Sequence, residues 1–583
     1  MSFLRLVLDI ETDGLKPTKI HVCVTKDIDR GIVREWYYAD DLRSHLRNVS
    51  LLVAHNGISF DLPALARLWD IHFDPKVVFD TLVASQLLDF TREGGHSLEA
   101  WGNTLGHPKV GADITDWSKL THLMVARCKA DVEINHMLYA FLWEQLKTKH
   151  KDKFADAFAL ESDIARICYG MHRDGFGFDI GSAHALYNEL DKRIGEIDVE
   201  LAKAFPPKIK TTVLKTKIKE ELIPFNPSSP KQIVERLEPF WKPKDKTEKG
   251  QPKINETNLA TLKEDAPDAC KELVERLLLV GRLRALKQWI DAYDETTGRV
   301  HAEFRGIGTW TGRMGHRNPN LANIAAPKSI KYKAEDLASL ATTLGSRMRR
   351  LWKASEGDSW LVGTDAEGIQ LRIFGHYIND QKFIEALISG NKDEGTDPHS
   401  LNSAILECDR DTAKTFIYAF LLGAGDKKIG EILGVSARRG ADRKKAFIEA
   451  YPGLAKLKGE QIPKDAARGF FESFDGREVK CNSEHLMMAG YLQTGEACIM
   501  KWANVEWRRR LSNEIGPEGR KVGFSQVNFV HDEWQTEVQG TRTEAEWVGR
   551  VQAEAIRAAG EAFSLNCPMA GAFRVGKNWM DTH

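Results

Sequence analysis

The stretch Arg410–Gly425, RDTAKTFIYAFLLGAG, decides how the rest of the chain is read. Arg410, Lys414 and Tyr418 recur every four residues. At about 100° per residue they share one arc of roughly 80° on a helix. Two cations stacked on a helix face suit a polyphosphate, and an aromatic one turn further on suits a sugar or base. A basic helix face is commonly just solvated, but Thr415, Phe416, Ile417 and Phe420 leave little of this helix polar. Two acidic motifs flank the stretch: GTDAEGIQLR with Asp365, and FVHDEWQ with Asp532. Each acid ends an apolar run, WLVGTD or VNFVHD, as a buried strand presenting a carboxylate at its tip would. Hard magnesium ions prefer such oxygens, and a pair of them can serve both ends of an in-line displacement. Cations, aromatic and acids together describe a nucleotidyl transferase. Glu533 is either a further ligand or a supporting group.

At 583 residues the chain has room for several domains, and 42% hydrophobic residues allow real cores. Lys plus Arg number 82 against 83 Asp plus Glu. That balance excludes a protein held to nucleic acid by bulk charge, so any DNA contact needs local basic tracks. One candidate track is Lys208, Lys210, Lys215, Lys217 and Lys219, followed by Lys242, Lys244, Lys246 and Lys249; a solvated linker is its alternative. Eight cysteines without a CxxC pair argue against a zinc site or disulfide framework and for reduced thiols. Asp9 and Glu11 interrupt the apolar start, which argues against a signal peptide, and no apolar run is long enough to cross a bilayer. A cytoplasmic protein with no membrane partner is expected.

Residues 1–150 read as an α/β unit, with strands at FLRLVLDI, KIHVCVT and LLVAH and helices at LPALARLW, DTLVASQLL and after Ala126. Residues 155–205 are helical in pattern, 205–253 are rich in Pro and Lys, and a long amphipathic helix runs from Pro267 to Tyr293. A strand should end near Asp365, and a hairpin should carry His531 and Asp532 at its turn, with a mostly helical insertion between them. Near the N-terminus, DIETDGL puts Asp9 and Glu11 on one face of a strand. HNGISFDLPAL adds Asp61, and KADVEIN adds Asp131 near a helix.

The order of these motifs resembles the family A DNA polymerases, most closely the replicative type of T-odd phages, over nearly the whole chain. TGRMGHRNPNLANI (Thr311–Ile324) is similar to the family's primer-binding segment and FNPSSPKQ (Phe225–Gln232) to the base of its thumb. FDGREV, GYLQTGEA and the terminal GKNWMDTH follow in the expected order. The resemblance implies a multidomain α/β and α+β fold, an RNase H-like exonuclease domain followed by a right-hand polymerase. Its parts would be an exonuclease-like domain at 1–150, a thumb at 151–300, palm at 301–380 and 481–583, and fingers at 381–480.

The same resemblance implies roles. Asp365 and Asp532 would bind two magnesium ions, with Glu533 beside them. Arg410, Lys414 and His399 would grip the triphosphate of a deoxynucleotide, and Lys414 would protonate the leaving pyrophosphate. Tyr418 would face the deoxyribose, and Gln370 would stand at the gate against a ribose 2′-hydroxyl. Arg313, His531 and Gln493 would contact primer-template DNA. Asp9, Glu11, Asp61 and Asp131 match the four acids of the DEDD 3′–5′ exonucleases, which also use two metals. A monomer is implied, and a helicase-primase is an admissible further partner.

Several positions depart from the pattern. Gln370 stands where the family commonly has Glu, Leu422 where a second tyrosine is expected, and Ala419 where Gly is. The usual exonuclease Tyr is Arg127, and the alternative His is Ala126, so the residue that positions the attacking water is missing. An impaired nuclease, one using another group, or a domain kept to hold DNA are all open; an active nuclease, at full or reduced rate, is the expectation. Only about twenty residues separate Phe205 from Phe225, too few for the folded thumb insertion that binds thioredoxin in T-odd phage enzymes, so no thioredoxin clamp is expected. The competing assignments are a single-subunit RNA polymerase and a non-catalytic DNA-binding accessory protein. The N-terminal acids argue against the first; Asp365, Asp532, Arg410 and Lys414 argue against the second.

Overall fold

A computed structural model describes the chain except for residues 1–2, 112–113, 148–152, 214–217, 244–245, 248–249, 260–261, 264 and 326–334. The N-terminal unit is built on a five-stranded sheet in the order Val33–Trp36, Ile20–Asp27, Leu4–Thr12, Val49–Ala54, Val78–Asp80. The first three strands pair antiparallel, and Leu4–Thr12 continues parallel into the last two. Leu6, Val7 and Leu8 are all buried, so this central strand is covered on both faces. The helix His122–Gln145 covers one face, burying Cys128, Val132 and Leu138.

The helix Lys153–Asp174 sits at a junction. Phe154 and Ala157 pack into the N-terminal core. Leu160, Ile164, Ile167, Cys168 and Met171 pack into the large C-terminal core. The range expected for the thumb thus begins with a helix that joins two other units. The helices Ile180–Ala204 and Asp268–Asp291, within the range expected for the thumb, pack in a second core that also takes in Trp352, Leu361, Val527 and Trp579.

Residues expected to be a Pro- and Lys-rich linker or track include an antiparallel hairpin, Lys208–Val213 against Ile218–Ile223. Lys208, Lys210 and Lys219 share one face of it, and Ile209 and Leu222, about two-thirds exposed, lie on the other. Lys215, Lys217, Lys244 and Lys249 lie outside the described residues.

The sheet in the ranges expected for the palm is four-stranded and antiparallel, in the order Gly523–Val530, Glu533–Gln539, Ser359–Ala366, Gly571–Gly576. The helix Arg542–Ala562 packs against it, and Glu484–Asn513 packs against that helix. The C-terminal segment crosses the central strand at Gly363, where an added Cβ would lie 2.4 Å from the Thr582 carbonyl oxygen; only glycine allows this approach. Between the strands of this sheet lies the range expected for the fingers, mostly helical from Gln381–Ser389 onward and closing on the hairpin of Phe470–Glu472 and Glu478–Lys480.

A buried ion cluster fastens the junction helix to the palm. Glu161 Oε1 lies 2.5 Å from Lys501 Nζ and 2.6 Å from Arg477 Nη1, and Arg477 Nε also donates to Asp475 Oδ2 at 2.8 Å. Glu161, Lys501 and Arg477 are 5% exposed or less. Removing one partner of such a cluster leaves a buried charge uncompensated and costs about 3–5 kcal/mol, whereas an apolar replacement of both is close to neutral. Glu161→Leu should therefore lower the thermal unfolding temperature clearly, and Glu161→Leu with Lys501→Met should recover much of the loss. Equal unfolding temperatures for the single variant and the parent would contradict this.

Candidate active site

Asp365 and Asp532 are brought together by sheet register. Asp365 is the cross-strand partner of Glu533, and Asp532 occupies the turn just before it. The backbone N–H of Ala366 donates to the Asp532 carbonyl at 3.0 Å, closing the arrangement. His531 takes φ 54° at this turn, a left-handed conformation that L side chains adopt at a cost. Burial pushes both carboxyls up to about 7, with the charges of Asp532 and Glu533 adding at Asp365 and those of Glu496 and Glu533 adding at Asp532. Asp365 keeps more solvent contact than Asp532, so its shift is the more screened.

Glu533 is buried and engaged by other side chains. Its Oε1 accepts from Trp579 Nε1 at 2.5 Å and Gln535 Nε2 at 2.6 Å, and Oε2 lies 3.4 Å from His583 Nδ1. Burial raises its carboxyl, but the bond and charge from His583, with Arg349 and Gln535, outweigh that and hold it below the usual range. Of the two readings open from sequence, these contacts favour a supporting group.

The helix Arg410–Leu421 forms as its periodicity predicts. Asp409 caps it by accepting from the Thr412 N–H at 2.9 Å, and Gly423 at φ 83° lies just beyond its C-terminal end. Ala413, Phe416, Ile417 and Phe420 are buried, while Lys414 is exposed and makes no hydrogen bond or ion pair with any described residue. Arg410 does have a partner. Its guanidinium forks Asp397, Nε to Oδ2 at 3.1 Å and Nη2 to Oδ1 at 3.0 Å. Burial raises the Asp397 carboxyl, but Arg410, Ser400 and the His399 N–H together bring it down to about 2.

His399 is buried, its Nδ1 has no partner among the described residues, and its ring lies 6.2 Å from that of Tyr418. Burial lowers the imidazole's affinity for a proton, with Arg410 and Lys414 adding to the effect. Burial followed by the charge of Asp532 raises the Tyr418 phenol, which puts this ring within the field of the acid pair. Leu422, where a second tyrosine was expected, is 56% exposed.

Arg313 and Gln370 meet on a residue that was not singled out from sequence. Glu496 Oε2 accepts from Arg313 Nη2 at 2.7 Å and from Gln370 Nε2 at 2.8 Å. Gln493 accepts from Thr311 Oγ1 at 3.3 Å, which ties it to the segment that carries Arg313.

The four N-terminal acids also gather. Ligand oxygens of Asp9, Glu11 and Asp131 lie within 4.8 Å of one another, and Asp61 accepts from the Ile10 N–H at 3.2 Å beside them. Burial, then the other three acids, raises the Asp9 carboxyl strongly; burial also lifts Glu11 and Asp61 to about 7. Unlike the palm pair, this cluster holds cations. Lys109 Nζ is 2.5 Å from Asp131 Oδ2, and Arg127 Nε is 3.2 Å from Glu11 Oε1 and 4.0 Å from Asp131. Lys109 carried no sequence signal.

The family model for DNA polymerase family A matches residues 200–581, and the chain belongs to that family. It is 27% identical to the DNA-directed DNA polymerase of Enterobacteria phage T3, over 99% of this chain and all of that protein, and equally similar to that of Escherichia phage T7. It is 24% identical to DNA polymerase I of Aquifex aeolicus (strain VF5), over 98% of this chain and 95% of that protein. Its fold is similar to the POL domain of Pol1 from M. smegmatis, solved as a complex with DNA primer-template and dNTP. The TM-score is 0.74, with 17% identity, over all of this chain and 96% of that one. Among the described residues no helix is long and apolar enough to cross a membrane.

The raised carboxyls have a pH consequence. The folded values of Asp365 and Asp532, about 7, lie above the ordinary 3.8, so the folded state holds these protons more tightly. The stability they contribute is full below about 3.8 and is lost as pH rises through about 7. In chelator, the unfolding temperature should fall between pH 5 and pH 8, and Asp532→Asn should reduce that fall. A variant with the same pH slope as the parent would refute the assignment.

Proposed function

We propose that the chain is a template-directed DNA polymerase that adds deoxynucleotides to a primer 3′-hydroxyl. The observation that carries the reading is Asp365 and Asp532, set side by side by register within the field of a helix bearing Arg410, Lys414 and Tyr418. Both acids offer hard oxygens and form no ion pair with any described residue, a donor set that fits divalent metal. Two magnesium ions held there would supply the charge that activates the primer hydroxyl and stabilises the leaving pyrophosphate.

The chain's own groups do the rest. Arg410, held beside His399 by Asp397, and Lys414 clamp the triphosphate. Lys414, exposed and unpaired, protonates the departing pyrophosphate. Tyr418 faces the sugar, and Arg313, Gln493 and His531 align the primer end. We take the thumb to begin near Ile180 and the fingers to span about 381–480. Primer-template DNA and deoxynucleoside triphosphates are the partners this reading requires.

For the N-terminal unit we propose a metal-dependent 3′–5′ exonuclease on Asp9, Glu11, Asp61 and Asp131, in which Lys109 and Arg127 must yield before metal enters. Its mixed sheet, with Asp9 and Glu11 on the central strand, supports an RNase H-like assignment.

Asp365→Ala or Asp532→Ala should reduce primer extension by at least about a thousandfold while duplex binding persists, since several kcal/mol of charge stabilisation is removed. Lys414→Ala should lower kcat even at saturating nucleotide, because its contact is strongest as pyrophosphate leaves. Near-parental extension by either Asp variant would sink the reading. Separately, Asp9→Ala with Glu11→Ala should abolish 3′–5′ degradation and leave extension intact. Lys109→Met should tighten manganese binding at the N-terminal cluster about tenfold, as one charge-assisted bond is removed. Manganese titration by electron paramagnetic resonance, compared with Asp9→Ala, checks this; unchanged affinity counts against competition by Lys109.

A further inference from the structure

Glu496 is 1% exposed and lies on the helix Glu484–Asn513, three residues after Gln493 and so on the same face. Its Oε2 takes two hydrogen bonds, from Arg313 and Gln370, and its Oε1 is buried with no partner among the described residues. It adds a third negative charge next to Asp365 and Asp532. Burying a carboxylate beside two others is unfavourable, and the Arg313 guanidinium is its one ion-pair partner among the described residues. Such a group persists where its hydrogen bonds hold something in place.

The chemistry of a carboxylate defines what is held. It only accepts, so the Gln370 amide must turn its nitrogen toward Glu496 and its carbonyl oxygen away. A free glutamine swings about three side-chain torsions, whereas this one is fixed in a single pose. The same oxygen fixes the Arg313 guanidinium. Gln370 lies at the start of the helix Ile369–Ile378, just past the strand that ends with Asp365. Its fixed bulk therefore stands beside the acid pair.

We propose that Glu496 is the positioning residue for sugar selection: through one oxygen it fixes the Gln370 amide that excludes a ribose 2′-hydroxyl and the Arg313 guanidinium that aligns the primer end. This rests on the polymerase reading above. A merely structural glutamate would alter stability or overall rate without changing the choice between sugars. A glutamate acting through Gln370 changes that choice, and only while Gln370 is present.

The test is the ratio of kcat/KM for a deoxynucleotide to that for the matching ribonucleotide, measured by single-nucleotide primer extension. Glu496→Ala should lower the ratio about tenfold, the scale of one hydrogen bond to a charged group. Gln370→Ala should lower it by at least as much. The double variant should match Gln370→Ala alone, because the effects run through one side chain. Glu496→Gln keeps an acceptor of the same size and should recover part of the ratio. Additive losses, or a ratio untouched by Glu496→Ala, overturn the proposal. Should Glu496→Ala fail to fold, Glu496→Gln carries the test, with a ratio equal to the parent's overturning it. Absence of extension by the parent protein would overturn the polymerase reading instead.

Discussion

The antiparallel register between Ser359–Ala366 and Glu533–Gln539 is the constraint on which the palm depends. It pairs Asp365 with Glu533 and leaves Asp532 at the adjoining turn. Because side chains alternate across a strand, a slip of one residue would carry Asp365 to the opposite face. Several features hold the register. The Thr582 carbonyl oxygen closes over Gly363, and Thr582 Oγ1 donates to Gln535 at 2.9 Å. Trp579 donates to Glu533. The end of the chain thus belongs to the catalytic sheet, and Glu533 is the point where that end is fastened.

The two acidic clusters meet the same electrostatic problem in opposite ways. In the palm, Asp365 and Asp532 form no ion pair with a described residue, and burial beside other carboxylates makes their charge costly. In the N-terminal unit, Lys109 and Arg127 already contact Asp131 and Glu11. A site that carries its own counterions is stable when empty and reluctant to load; a site without them is strained when empty and avid. Arg127, where the family resemblance leads one to expect tyrosine, therefore places a positive charge against Glu11 and Asp131.

The sequence made legible what is local. Apolar runs ending in an acid announced the strand tips at Asp365 and Asp532, and a four-residue repeat announced the helix face of Arg410, Lys414 and Tyr418. The alternation in KIKTTV and IKEELI also signalled strands, but the density of lysine around it drew the reading toward a linker. What stayed hidden is non-local. Nothing in GYLQTGEA says that Glu496 reaches both Arg313 and Gln370, and nothing in DPHS says that Asp397 receives the Arg410 fork. Lys109 follows no periodic pattern and meets Asp131 only through the fold. Glu161 reads as an ordinary polar position on an amphipathic helix until Lys501 and Arg477 close on it.

That last cluster bears on how the N-terminal unit is fastened to the rest of the chain. A buried ion cluster contributes little net stability compared with apolar packing, but it accepts very few alternative geometries. Placed between the junction helix and the palm helix Glu484–Asn513, it sets one rotational and axial position for Lys153–Asp174. The far end of that helix is packed in the N-terminal core through Phe154 and Ala157. Glu496 lies on the palm helix a little over one turn before Lys501, so the helix that holds Gln370 and Arg313 also anchors the N-terminal unit. The low tolerance of buried charge for misalignment thus fixes the N-terminal unit and the palm helix against each other.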